Sequence, residues 1–247
     1  MNSAEYSKLA EVEDRMWYFR SLHAHIARAL GVRLGARAAV LDAGCGTGGL
    51  IRRLAATRPE WHWTGVDLSP LALELARGRC GANADFHQAP VTALPSADAQ
   101  FDAVVSADVL YHVEDDEAAL REFFRVLRPG GAVVLNLPAY RWLWSYHDEA
   151  VHSRRRYGRG EVLAKLAAAG FEGARATYWN TLPFPLIVLR RKLLPAPRGG
   201  SDVQLMPAPV ETALNGMMAL EHAWLRGAGR LPFGCSVFAV AAKSGKK

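Results

Sequence analysis

Three glycines alternate in a short stretch that follows an apolar strand. The stretch reads VLDAGCGTG over residues 40–48, and a helical pattern begins directly after Gly48. Glycines let the backbone turn sharply and let a ligand come close, because no Cβ is in the way. The helix that follows directs its free N–H groups back toward the bound molecule. The pattern therefore predicts a site for a small molecule that contains a nucleoside.

An acidic residue at the end of the next predicted strand lies where it could bind the sugar of that nucleoside. Residues 61–66 (WHWTGV) predict a second strand, which ends at Asp67. A carboxylate there can accept hydrogen bonds from both ribose hydroxyls. The alternative is that Asp67 caps the next helix, but Ser69 and Pro70 already mark the start of that helix. We therefore favour the ribose role for Asp67.

The residue before the glycines discriminates between nucleotide ligands. A dinucleotide site has the spacing G-x-G-x-x-G and holds a pyrophosphate, whereas this chain has G-x-G-x-G preceded by Asp42. The Asp42 carboxylate would repel a diphosphate and attract a positively charged ligand. No lysine lies in the turn to neutralise phosphates, which excludes a P-loop. We expect Cys45 to be a small filler beneath the ligand rather than a nucleophile.

Four motifs follow one another along residues 38 to 137. They are DAGCGTG at 42–48, GVDLS at 65–69, FDAVV at 101–105 and VLRPGG at 126–131. Their order and spacing resemble those of class I S-adenosylmethionine-dependent methyltransferases of the bacterial small-molecule type. The resemblance implies S-adenosylmethionine as the cofactor and methyl transfer as the reaction. The cofactor-binding residues that we expect are Asp42, Gly44, Cys45, Gly46, Gly48, Asp67, Leu68, Ala89, Val91, Ala107 and Asp108.

The chain departs from this family after the third strand. The family often has an acidic residue there that holds the adenine amino group. Aligned on the residues ALP at 93–95, that position falls on Pro90, which has no side-chain acceptor. Adenine binding would then depend on backbone groups near Ala89 and Val91.

The elements that must position these residues alternate along the chain. Strands are expected at 38–42, 62–67, 84–88, 101–106, 131–137, 171–179 and 236–242, with helices at 48–57, 70–79, 116–127 and 160–169. This pattern predicts an α/β fold with a doubly wound, mostly parallel seven-stranded sheet, the Rossmann-like methyltransferase fold. We expect one domain over 1–247, made of an N-terminal helical cap (1–36, with one helix at about 5–30), a cofactor-binding core (37–138), a substrate loop (139–159) and a helical insertion or lid (180–233).

The segment YRWLWSYHDEAVHSRRRY at 140–157 is unusually rich in aromatic and protonatable residues. It resembles a recurrent subgroup of bacterial methyltransferases with a Leu-Trp-Ser…His-Asp…His…Arg-Arg-Tyr signature. Three interpretations remain open: a metal site, a general base oriented by Asp148, or a structural network that holds a lid. We expect no metal and name as catalytic candidates His147, His112, Asp148 and His152. The acceptor-binding candidates are Tyr111, Tyr140, Trp144, Arg154 and Tyr157.

Composition limits the partners. The 247 residues carry a net charge of +6, but the basic residues form short groups without a recognisable RNA-binding module, so we expect no nucleic acid. Residues 1–5 lack a signal-peptide pattern, no apolar run reaches the roughly 20 residues of a membrane span, and three cysteines without C-x-x-C spacing suit a cytoplasmic protein.

The apolar segment 182–189, followed by three basic residues at 190–192, has several interpretations. It could pack on the sheet or on a second copy of the chain in a homodimer. It could also cover a greasy substrate or touch a membrane surface through 182–192. It favours a small, hydrophobic, lipid-like or secondary-metabolite acceptor, with O-, N- and C-methylation all open. The rival functions are an RNA or protein methyltransferase and a non-catalytic cofactor-binding partner subunit.

Overall fold

A central sheet of seven strands organises the computed structural model, which describes residues 3–196, 201–227 and 229–245. The strand order is β3-β2-β1-β4-β5-β7-β6, and every neighbouring pair is parallel except the two pairs that involve β7. The predicted fold class is confirmed. The strands are β1 Ala38–Ala43, β2 Trp61–Asp67, β3 Ala84–Gln88, β4 Phe101–Ala107, β5 Leu127–Pro138, β6 Glu172–Trp179 and β7 Ser236–Ala242.

Helices cover both faces of the sheet, because successive strand residues point to opposite faces and both sets are apolar. Leu41 and Val104 pack with the helices of one face, and their neighbours Val40 and Val105 pack with those of the other. α5 and α7 lie on the first face, and α2, α3 and α9 lie on the second. The helices are α1 Ser3–Val12, α2 Trp17–Gly31, α3 Gly49–Ala55, α4 Pro70–Arg79, α5 Asp116–Val126, α6 Tyr146–Ala150, α7 Arg159–Ala168, α8 Phe184–Leu193 and α9 Ala208–Gly227.

Local capping groups set several helix boundaries. The Ser69 side chain accepts from the backbone N–H of Ala72 at 3.2 Å, with Pro70 in the first turn of α4. Asp115 caps α5 in the same way. These side chains satisfy N–H groups that have no partner inside the helix. Among the described residues, no helix combines the length and the apolar character needed to cross a bilayer.

The N-terminal region differs from the single helix expected over residues 5–30. It forms two helices, α1 and α2, with a turn between them, and Met16 is extended before α2. At this turn the buried Glu13 carboxylate accepts from the Thr47 hydroxyl at 2.5 Å and from Arg79, while Asp14 pairs with Arg79 at 2.8 Å. Partners distant in sequence therefore interrupt a pattern that is helical by its local spacing.

A buried ion pair holds the loop that follows β5. The Arg156 guanidinium donates to both oxygens of Asp148, at 2.6 and 3.0 Å, and both side chains are only 1% exposed. Arg156 also donates to the carbonyl of Ala139 at 2.8 Å, and Asp148 accepts from the backbone N–H of Ser145 at 2.9 Å. Of the three interpretations of this loop, the geometry favours the structural network.

The helical insertion is tied back to the sheet by one carboxylate. Glu221 of α9 is buried and accepts from the backbone N–H groups of Asn180, Thr181 and Leu182 at 2.6, 2.8 and 3.1 Å. These three residues directly follow β6. α9 is therefore anchored at the point where the insertion leaves the sheet.

Replacing Arg156 with Met should destabilise the fold, because Asp148 would stay buried without its charge partner. We expect the free energy of unfolding to fall by about 3–5 kcal/mol, measured by urea denaturation followed by circular dichroism. The matched control is Arg154→Met, whose side chain is 54% exposed and pairs loosely with Glu114 at 3.6 Å. That change should cost less than about 0.5 kcal/mol. Equal effects of the two substitutions would contradict a structural role for the buried pair.

Candidate cofactor and acceptor site

A cavity of about 1400 Å³ lies at the carboxyl ends of β1, β2 and β4. Ligands bind at this edge in open α/β sheets. Ten of the residues expected to bind the cofactor line it, namely Asp42, Gly44, Cys45, Gly46, Asp67, Leu68, Ala89, Val91, Ala107 and Asp108.

Gly48 alone among the expected cofactor residues does not line the cavity. It sits at the start of α3 with a φ of 78°, and a Cβ there would crowd Cys80 and Ala76. Gly44, which does line the cavity, has a φ of 93°, and a Cβ there would overlap the Val109 side chain. Both positions require glycine, one for helix packing and the other for the turn beneath the ligand.

Carboxylates crowd around the glycine turn. Burial, together with the charges of Asp67 and Glu13, raises the pKa of Asp42 to about 8. In the described part of the chain no basic side chain forms an ion pair with Asp42. This crowding of carboxyl groups disfavours any further negative charge, so it suits a ligand that carries an ammonium group and a sulfonium and disfavours a diphosphate. The residues present therefore fit S-adenosylmethionine.

Asp67 is directed both at the glycine turn and at the residue that caps α4. Its Oδ2 accepts from the backbone N–H of Gly46 at 2.9 Å, and its Oδ1 accepts from the N–H of Ser69 at 2.9 Å. The Tyr6 hydroxyl of α1 also donates to Oδ1, at 3.3 Å. The Ser69 hydroxyl caps α4 itself, and the ribose role of Asp67 stays a prediction. Sequence reasoning missed Tyr6, whose partner is remote in sequence.

A second polar network lies at the ends of β4 and β5. Asp108 has a φ of 58°, which is uncommon outside glycine, and lines the cavity. Its carboxylate accepts from Tyr18 at 2.7 Å and from Asn136 at 2.9 Å, and Asn136 accepts in turn from Trp179 at 2.7 Å. Burial raises the pKa of Asp108 to about 6. Tyr18 and Asn136 were not expected at the site, although Tyr18 belongs to an aromatic run, WYF at 17–19.

Two of the histidines named as catalytic candidates line the cavity, and their hydrogen bonds differ. His147 Nδ1 accepts from the backbone N–H of Asp202 at 3.1 Å, so a neutral His147 carries its proton on Nε2. His112 Nδ1 lies 3.3 Å from the His152 carbonyl oxygen, which can only accept, so His112 keeps a free lone pair on Nε2. Burial lowers the pKa of each histidine to about 4.

The other two catalytic candidates are placed differently. The His152 side chain is exposed and does not line the cavity, and only its carbonyl reaches His112. Asp148 lines the cavity, but Arg156 occupies both of its oxygens. In the described residues, no group of three or more histidine, cysteine or acidic side chains is arranged to hold a metal ion.

Four of the five acceptor-binding candidates do not line the cavity, and only Tyr111 does. Tyr157 is buried and donates to Asp116 at 2.8 Å, which makes it part of the core. Tyr140 has a φ of 60° and stacks on Tyr178, with ring centroids 4.9 Å apart. The remaining two are Arg154, which is exposed beside Glu114, and Trp144, which offers its carbonyl to Lys192.

Part of the cavity lining is apolar and is built by segments outside the core of the sheet. The N-terminal cap, α8 and the region around α9 supply its side chains. They are Met16, Trp17, Leu22, Leu186, Ile187, Met206, Val210 and Leu214.

Comparison with known proteins identifies the family. A family model described as a methyltransferase domain matches residues 40–131. The demethylmenaquinone methyltransferase of Tropheryma whipplei (strain Twist) is 35% identical, and the match covers 76% of this chain and 89% of that relative. The malonyl-[acyl-carrier protein] O-methyltransferase of Enterobacter lignolyticus (strain SCF1) is 37% identical over 64% of each chain, so less than two thirds of that relative is matched.

A solved structure gives the same fold. The S-adenosylmethionine-dependent methyltransferase TM1293 from Thermotoga maritima superposes with a TM-score of 0.62 at 18% identity, and the match covers 98% of this chain and 96% of that one. This structure shows the fold alone, and the Tropheryma whipplei relative, matched over 89% of its length at 35% identity, shows the family. The protein belongs to the class I S-adenosylmethionine-dependent methyltransferases, and S-adenosylmethionine is its cofactor.

Proposed function

We propose that this protein transfers a methyl group to a small, hydrophobic, lipid-like acceptor. The observation that carries the proposal is the mixed lining of one continuous cavity. The carboxylates of Asp42 and Asp67 line it, and so do apolar side chains of the N-terminal cap, α8 and the α9 region. A charged cofactor and a greasy acceptor can therefore share one cavity.

The chain's own residues bind and position the reactants. Bound S-adenosylmethionine supplies a methyl group on a positively charged sulfur. Asp42 and Asp67 would hold its charged and sugar groups, and the glycine turn would let it approach the backbone. Displacement at an activated methyl depends mainly on the alignment of donor and nucleophile, so a close-fitting cavity is the main requirement.

The arginines of the loop after β5 offer little to a nucleic-acid substrate. A nucleic-acid substrate would need free cations for its phosphates. Arg155 lies 3.3 Å from Asp116 and donates to the Glu114 carbonyl at 2.7 Å, Arg156 is buried on Asp148, and Arg154 lies near Glu114. These pairings disfavour an RNA substrate. The name of the Tropheryma whipplei relative, which specifies demethylmenaquinone, agrees with a lipid-like acceptor.

We assign the role of proton acceptor to His112 and a hydrogen-bond donor role to His147. His112 Nδ1–H faces the His152 carbonyl, which orients the ring and leaves the Nε2 lone pair available. A neutral His147 has its lone pair on Nδ1 occupied by the Asp202 N–H and offers only Nε2–H. Because burial lowers both pKa values to about 4, both rings are neutral near pH 7.

The proposed function is tested with S-adenosylmethionine labelled in the methyl group. Purified protein is incubated with total lipid extract, RNA or protein extract, and the label is followed into each fraction. We expect label in the organic phase only. Label in RNA or protein would overturn the acceptor class, and no transfer to any fraction, despite calorimetric binding of the cofactor, would favour the non-catalytic rival.

Asp42→Asn should change both cofactor binding and its pH dependence. In the wild type, affinity for S-adenosylmethionine should rise between pH 6 and 8, because the cation favours the charged form of a carboxyl whose pKa is about 8. The variant should bind about 10- to 100-fold more weakly at pH 8, with a flatter profile, measured by calorimetry. An unchanged affinity would remove Asp42 from the cofactor site.

The free energy of unfolding of the cofactor-free protein should fall as pH rises, whereas its affinity for the cofactor should rise. The folded-state pKa of Asp42 is raised, so the folded chain keeps a proton that the unfolded chain releases. Wild-type stability should therefore fall as pH rises from about 5 to 8, and Asp42→Asn should reduce that fall. Denaturant midpoints at several pH values measure the difference between the two proteins.

His112→Ala should lower kcat by about 10²-fold or more if this ring accepts the substrate proton. The matched control is His152→Asn, which keeps the backbone carbonyl and tolerates the φ of 56° at that position. The control should retain most of the wild-type rate. Full activity of His112→Ala would show that methyl transfer needs no base at this position.

A further inference from the structure

Helix α8 presents an apolar stripe to solvent. Leu186, Leu189 and Leu193 are exposed, and Leu193 is 74% exposed. Residues at this spacing lie on one side of a helix. The helix has no buried residue.

Two of the three basic residues of the same helix, Arg190 and Arg191, turn toward the protein. Arg191 pairs with Asp202 at 2.8 Å, and the Arg190 guanidinium lies 5.6 Å from the centroid of the Tyr146 ring. An ordinary surface helix shows the opposite arrangement, with apolar residues inside and charges outside. The exposed leucines of α8 are therefore not explained by packing within the chain.

Aromatic side chains gather around Phe184, on the other side of α8. The rings of Trp142 and Phe233 lie 6.1 and 5.6 Å from the ring of Phe184, and both are about half exposed. Single exposed apolar residues are common on protein surfaces, but contiguous patches mark interaction sites. We call the exposed stripe of α8 the leucine face; it consists of Leu186, Leu189 and Leu193.

The charge around the leucine face is positive. Residues 182–196 include three basic residues and no acidic one. Lys192 is exposed on α8, and Arg190 is partly exposed on the same helix. Apolar residues with a basic rim are typical of surfaces that enter the interface of an anionic bilayer.

A second copy of this chain fits the leucine face less well. A twofold interface uses the same patch on both copies, so the basic rims would approach each other. An anionic lipid surface instead complements that rim. The charge distribution therefore favours the bilayer.

We propose that the leucine face docks on the surface of an anionic lipid bilayer and that the acceptor enters the cavity from that surface. Leu186 belongs to the face and also lines the cavity, and its neighbour Ile187 lines the cavity as well. The same helix thus connects the docking surface with the apolar lining of the cavity. The entry of an acceptor rests on the function proposed above, whereas the docking itself does not.

The test is sedimentation with vesicles in the absence of S-adenosylmethionine. Wild-type protein should bind phosphatidylcholine vesicles that contain phosphatidylglycerol, with weaker binding at high salt and on pure phosphatidylcholine. Leu189→Glu combined with Leu193→Glu should weaken this binding by about tenfold or more, because two inserting side chains become charged. Neither residue lines the cavity.

The matched control is Val32→Glu, a charge placed on an apolar residue that is 73% exposed just after α2. It should bind vesicles as the wild type does, allowing for its one added negative charge. Calorimetric affinity for S-adenosylmethionine should be unchanged in the double variant, which shows that it is folded.

Three results would overturn the docking proposal. They are failure of the wild type to sediment with the anionic vesicles, equal binding by the double variant, and a wild-type dimer in light scattering that the double variant abolishes. Vesicle binding without methyl transfer to any lipid would leave the docking proposal standing and would reject the proposed function instead.

Discussion

The site depends on three carboxylates held around one backbone turn. Asp67 accepts a hydrogen bond from the turn itself. Glu13 pairs with Arg79 and accepts a hydrogen bond from Thr47, but Asp42 has no basic partner among the described residues. Folding therefore places a carboxyl in an environment that disfavours its charge. This environment lowers the stability of the cofactor-free protein, and a positively charged ligand would restore that stability. Such an arrangement is common at functional sites.

Two parts of the chain build the cavity around this turn. The sheet supplies the polar floor of the cavity through strand ends such as Asp42, Asp67 and Asp108. The N-terminal cap and the insertion supply most of the apolar wall. Hydrogen bonds from Tyr6 to Asp67 and from Tyr18 to Asp108 join the cap to this floor. In the function proposed above, recognition of the cofactor and of the acceptor would thus be physically linked.

Sequence signals that act within a few residues were sufficient to predict most of the fold. α4 and β7 have the expected bounds because Ser69, Pro70 and the apolar periodicity act within a few residues. The break between α1 and α2 could not be predicted, since it depends on Arg79, which is far away in sequence.

Dependence on contacts that are distant in sequence also explains why the role of the aromatic loop after β5 could not be predicted. Residue types pointed to an acceptor site, but side-chain directions there depend on the positive φ of Tyr140 and on the Arg156–Asp148 pair.

A carboxylate offers about four lone-pair positions, and in this structure Asp67 already accepts from Gly46, Ser69 and Tyr6. A sugar diol needs two such positions. With the ribose role proposed for Asp67, the phenol of Tyr6 competes for one of these positions, and the first helix would give up its hydroxyl contact whenever a nucleoside binds.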